Sequence, residues 1–175
     1  MIWPFKRDPL ESDADLLVGA VNTFAIGMFP KFIDEFAIIP HDERGLRYWD
    51  FVVTIAGVFI ALIGLRTLNL SEKRRLKLEK KVAASLVRLY PAIARPAFEK
   101  CESFFDKTYY DLSNAGYEPQ LVASDTIGGW VVWAIVGHPA ETEQEFTLAR
   151  RVGIMIVHSF FNWWENARDQ KSVLT

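Results

Sequence analysis

Apolar residues recur along this chain at intervals of three and four, and no run alternates apolar with polar between turn residues. The spacing predicts an all-α protein of six helices. The first runs from about Asp15 to Phe29, reaching Ala37 if it bends at Pro30, with Ser12 or Asp13 as its cap. The turn 40–45 leads to a second helix from about Leu46 to Leu68. Asn69, with Glu72 three residues on, reads as a capping box for a third, whose buried stripe is Leu78, Val82, Leu86 and Leu89. Pro91 interrupts it. Pro96 suits the first turn of a fourth helix with the stripe Phe98, Cys101, Phe105, Tyr109 and Leu112, and Gly116 stops it. Pro119 opens a fifth, where Gly128-Gly129 marks a kink or a close helix contact. Pro139 opens the sixth, almost wholly apolar from Val152 to Trp164, and a polar stretch follows from about Asn166.

The longest apolar run changes this picture. Phe51 to Leu65 is 15 residues without a charge, between a core helix and the roughly 20 residues of a full span. Tyr48 and Trp49 precede it where an aromatic belt would sit, and Arg66 follows it where a long side chain can snorkel. Arg66, Lys73, Arg74, Arg75, Lys77, Lys80 and Lys81 then face only Glu72 and Glu79, a bias that suits a cytoplasmic membrane face. Arg66, Lys73, Arg74, Lys77 and Lys81 are therefore candidate lipid-headgroup contacts. The bland reading is the central helix of a soluble bundle followed by a solvated basic helix.

Leu16 to Phe29 adds 14 uncharged residues, weakened as a span by Asn22, Thr23 and Pro30. Gly19, Thr23 and Gly27 give the first helix a smooth face, and Thr54, Gly57, Ala61 and Gly64 give the second another. Small residues let helices approach closely in lipid. The expected fold is thus an N-terminal membrane-associated hairpin or single span over residues 1–68 (helices about 15–37 and 46–68), followed by a small cytoplasmic helical bundle over 69–175. Alternatively, the second helix dimerises through its small face while the first lies in the interface.

Composition narrows the function classes. Half of the residues are hydrophobic, and 13 Phe, 6 Trp and 5 Tyr exclude global disorder. A net charge of −2 argues against a dedicated nucleic-acid binder, and Lys73–Lys81 has no interleaved aromatics. Residues 1–15 do not read as a secretory signal, because Lys6 and Arg7 are followed by four acids before the apolar run. The single Cys101 excludes an intrachain disulfide and lies on an apolar stripe.

Chemistry finds little support. His138, Glu141 and Glu145 can share a surface, yet acids in a first helical turn are explained by the helix dipole, and a second histidine is missing. His158, four residues before Asn162 in an apolar helix, reads as a satisfied core histidine or as one wall of an internal pocket. No nucleophile–base spacing, phosphate loop or dinucleotide fingerprint is present, so no cofactor is expected. Phe160, Phe161, Trp163 and Trp164 cannot all point into one core, since neighbouring helical positions lie about 100° apart. They are candidate partner contacts, unless flanking helices cover both sides.

The residues point to a non-catalytic protein anchored in the inner membrane that docks, scaffolds or regulates a partner at the cytoplasmic face. Its expected partners are membrane lipids and a protein or a second copy of the chain. The alternatives are a soluble cytoplasmic all-α enzyme or ligand-binding bundle with a pocket near His158, and a membrane-acting effector or immunity-type protein.

Overall fold

The computed structural model describes residues 9–114 and 116–166, with side chains for all of these but 111–113. These residues form six helices and no strand: α1 (Pro9–Glu35), α2 (Glu43–Thr67), α3 (Glu72–Leu89), α4 (Ala94–Asn114), α5 (Pro119–Val136) and α6 (Glu143–Phe160). The Leu112 side chain and the polar stretch after Asn166 lie outside them.

Several boundaries follow local chemistry that the periodicity did not resolve. Pro9 opens α1, which passes through Pro30 without ending, so α1 starts six residues before Asp15. Asp42 accepts from the Gly45 amide at 2.8 Å and caps α2. The cap of α3 is Ser71 rather than Asn69, and its side chain makes no capping bond. Pro119 is at the start of α5 as its fixed φ favours, and Gly137 ends that helix in the left-handed region at φ 85°. α6 begins with Thr142 and Glu145 in a reciprocal capping box, three residues later than Pro139.

α2 is the axis of the bundle and touches each of the other five helices. α1 and α2 are both long and apolar enough to cross a membrane by length and composition. Their surroundings differ: 78% of α2's most apolar window is buried within the chain, against 33% for α1. The uncharged run that reads as a span is therefore solvated by the protein's own side chains. Phe59 shows how. Its ring meets Phe98 at 5.6 Å and Phe105 at 5.1 Å, both edge-on, and burial of such a side chain stabilises by about 1.5–3 kcal/mol.

The small residues of α2 do pack closely, but against other partners than expected. A Cβ on Gly57 would lie 2.5 Å from Val21 Cγ1 and 3.3 Å from the Phe160 ring, and one on Gly64 would lie 1.8 Å from the Phe161 carbonyl oxygen. Thr54 and Ala61 are likewise buried. Gly19 and Gly27 instead have no atom within 4 Å of such a Cβ, and Thr23 is exposed. The expected pairing of the two smooth faces is thus corrected: α2 spends its small face on α6 and Val21, and that of α1 looks outward.

α5 and α6 form the most extensive pair. Their backbones touch at two glycines: a Cβ on Gly128 would sit 1.8 Å from the Ala149 oxygen, and one on Gly153 1.9 Å from the Ser124 oxygen. α5 runs unbroken through Gly128-Gly129, and of the kink or close contact expected there, Gly128 makes the close contact.

Candidate docking surfaces

α1 carries three polar anchors on one side. Glu11 meets Lys81 at 3.6 Å and Arg88 at 3.8 Å, and Asp15 accepts from Ser85 Oγ at 2.7 Å and pairs with Arg88. Two turns on, Asn22 Nδ2 donates to Asp50 and, at 2.9 Å, to the Tyr90 hydroxyl. Tyr90 in turn donates to the second Asp50 oxygen at 2.8 Å, and Thr54 Oγ1 lies 3.5 Å from the first. This cluster ties α1, α2 and the end of α3 together in a half-buried position, where a fully bonded network holds one geometry.

Burial raises the Asp50 carboxyl above its ordinary value, against the hydrogen bonds from Tyr90 and Thr54 that favour its anion. Burial also pushes the Tyr90 phenol well up, so it keeps the proton it donates. Because the folded Asp50 holds its proton to higher pH than the unfolded chain does, its contribution to stability declines as pH rises from 3.8 through the raised value. Asp50→Ala removes the acceptor that Asn22 and Tyr90 share and leaves them only each other and the Thr54 hydroxyl at 3.4 Å, with an expected loss of about 2 kcal/mol at neutral pH in chemical denaturation. An unchanged midpoint would mean that the cluster does not hold α1.

These anchors set the rotation of α1. With Glu11, Asp15 and Asn22 turned inward, the opposite face presents Leu16, Gly19, Thr23, Ile26 and Gly27, with Leu16 60% and Ile26 47% exposed. α1 buries the apolar stripe Ala14, Leu17, Val21 and Ala25 beside these anchors, and from Leu16 to Phe29 its exposed positions carry no charge, unlike the charged outer face of an ordinary surface helix.

Beside α1, the outer side of α3 carries exposed Lys73, Arg74, Lys77 and Lys80 among exposed Leu76 and Val87. Of the expected headgroup contacts, Lys81 turns to Glu11, and Arg66 pairs with Glu79 at 3.4 Å and Glu102 at 3.5 Å. α3 and α4 are joined by a turn in which Ala92 adopts φ 68°, a left-handed conformation that costs a non-glycine residue about 1–2 kcal/mol. Between them lies a groove of about 560 Å³.

The aromatic cluster divides by helical phase. Phe160 and Trp164 are core residues, and Trp164 Nε1 donates to the Ala61 carbonyl at 2.8 Å. Phe161 and Trp163 are half-buried against that core. His158 and Asn162 are exposed, which corrects the internal-pocket reading: the histidine is on the outer side of α6. Cys101 is fully buried, and desolvation holds its thiol well above the ordinary value, the reverse of a nucleophile's environment.

His138 stands 3.8 Å from Glu145 and 4.0 Å from Glu141. Glu145 Oε2 is committed to the Glu141 and Thr142 amides at 2.7 and 3.0 Å, bonds that lower its pKa. The carboxylate thus serves the start of α6. Among the described residues no group of three or more His, Cys, Asp or Glu is arranged to hold a metal ion.

The Asn22–Asp50–Thr54–Tyr90 cluster was the element sequence reasoning missed. Asp50 stands as the last charge before the long apolar run, one turn from Thr54, and that spacing was its only signal. Comparison with protein-family models, with curated proteins and with solved structures returns no match to this chain.

Proposed function

We propose that this chain is a non-catalytic docking protein that rests on the cytoplasmic face of a membrane, with α1 in the lipid interface and the rest of the bundle presented to a partner. The observation that carries this reading is the outward face of α1, which is uncharged from Leu16 to Phe29 while Glu11, Asp15 and Asn22 bond inward. An outward apolar helix face beside a basic one suits an interfacial helix on anionic lipid. Lys73 and Arg74 on α3 supply the cations.

Length and anchoring favour lying over spanning. Those 14 residues cover roughly 21 Å, short of a hydrocarbon core of about 30 Å. A spanning α1 would also draw Glu11, Asp15 and their cationic partners on α3 into hydrocarbon, at several kcal/mol.

Gly19 and Gly27 provide a test that spares the fold, because side chains there enter open space. The full-length chain is expected to co-sediment with vesicles of phosphatidylcholine and phosphatidylglycerol, and Gly19→Asp with Gly27→Asp to abolish this without altering the thermal melt. Lys73→Glu with Arg74→Glu should weaken binding to anionic vesicles by roughly 1 kcal/mol or more per site and matter little on neutral ones. A wild-type chain that stays in the supernatant would remove the membrane from the proposal. A dimer dispersed by the two aspartates would assign the face to a second copy.

A further inference from the structure

The groove between α3 and α4 lies apart from the outward face of α1 and stands independently of the membrane reading. Its floor is Val58 and Leu62 of α2 with Leu86 of α3, all buried, and Phe98 of α4 forms one wall. On the α3 side the wall is low, because Ala83 and Ala84 stand where larger residues would close the space. The left-handed Ala92 turn joins the two helices at one end, and α3 lines the groove from Leu76 to Val87, roughly 17 Å of helix. A volume of about 560 Å³ is within the range of small-molecule sites.

The charges on the rim select the occupant. Arg66, Lys80 and Arg95 stand on the rim with Glu79 and Glu99, and Glu102 also reaches Arg66. Arg95 is paired with Glu99 at 3.0 Å, and Arg66 with Glu79 and Glu102. Lys80 is exposed and has no ion-pair partner among the described residues. An apolar trough with one cation left over complements one apolar tail bearing one negative charge. We propose that this groove binds a single-chain carboxylate amphiphile of the long-chain fatty-acid type, its tail on Val58, Leu62 and Phe98 and its carboxylate at Lys80.

The test is calorimetric titration of the full-length chain with palmitate below its micellar concentration. Saturable binding of one palmitate per chain is expected. Lys80→Glu should weaken it by roughly tenfold or more, the loss of one charge contact and the gain of a repulsion. Ala84→Trp, at an exposed helical position on the groove wall, should abolish it with the melt unchanged, and hexadecanol should bind more weakly than palmitate. Gly19→Asp with Gly27→Asp should leave palmitate binding intact, so this result and vesicle binding can fail separately. No saturable binding, or binding indifferent to both Lys80→Glu and Ala84→Trp, would overturn the assignment. So would a self-association equilibrium that Ala84→Trp breaks and palmitate does not affect, since the occupant would then be a second copy.

Discussion

Gly153→Val is expected to destabilise the protein by about 3 kcal/mol or more, because the added carbons meet backbone and not a movable side chain. Overpacking a core ordinarily costs about 1–3 kcal/mol as neighbouring rotamers give way. Here the first added atom lies 1.9 Å from the Ser124 carbonyl oxygen and 3.1 Å from the Gly128 nitrogen, so α5 and α6 must separate along their length. Parting them also uncovers Val152, Ile156 and Ile127, buried at or near this contact. Total stabilities of such domains run from about 5 to 15 kcal/mol, so a large fraction would be lost. Gly129→Ala is the internal control. Its Cβ would meet only Phe104 Cζ at 3.8 Å, and it gains up to about 1 kcal/mol in helix propensity. The two substitutions should shift the denaturation midpoint in opposite directions, and movement of both the same way would remove the close approach of α5 and α6.

A fragment of residues 69–175 is expected not to fold at all. α2 packs against each of α3 to α6 and α1 is the main partner of α3, so the fragment keeps the α5–α6 and α4–α5 contacts but loses the helix at their centre and the support of α3. Phe98 and Phe105 lose Phe59, Trp164 loses its acceptor at Ala61, and Phe161 loses the flat surface at Gly64. The remaining helices would expose apolar stripes, and isolated helices of 18 to 21 residues are marginal in water. The full chain should melt in one cooperative transition, whereas the fragment should show weak helical dichroism with no transition and should bind a hydrophobic dye. A cooperative melt from the fragment would mean that α3 to α6 own a core, and that residues 1–68 are an appendage.

This second result bears directly on how the chain reaches a membrane. If α2 is indispensable to the bundle, it is not available to lipid while the bundle is folded. The surface left for lipid is then the outward side of α1 with the cations of α3. Anchoring and folding are carried by different helices, and substitutions can separate them: Gly19 and Gly27 address the first, Gly153 and Asp50 the second.

Much of the helical layout was legible because caps, prolines and periodic stripes act over a few residues. Pro119 at the start of α5, Gly116 after α4 and the stripe Leu78, Val82 and Leu86 are examples, and Leu89 at the end of that stripe is 41% exposed because α3 ends there. The Thr142–Glu145 capping box also shows in its spacing, and it opens α6 three residues after Pro139. The surfaces were harder to read. Lys81 looks like any other cation of α3 until Glu11 of α1 lies 3.6 Å away. Asn22 looks like a blemish in an apolar run until Asp50 and Tyr90, 28 and 68 residues on, are found beside it.

By itself the chain's order of residues determined that it is all helix, where most turns fall, and which two helices are long and apolar enough to cross a membrane. These are local properties, decided by side chains within one or two turns of each other. Only the tertiary structure decided which of those two helices is enclosed and which is left bare. Mean apolarity along a helix is the same whether its neighbours are lipid or protein, and the rotation of α1 is set by bonds to residues far away in the chain.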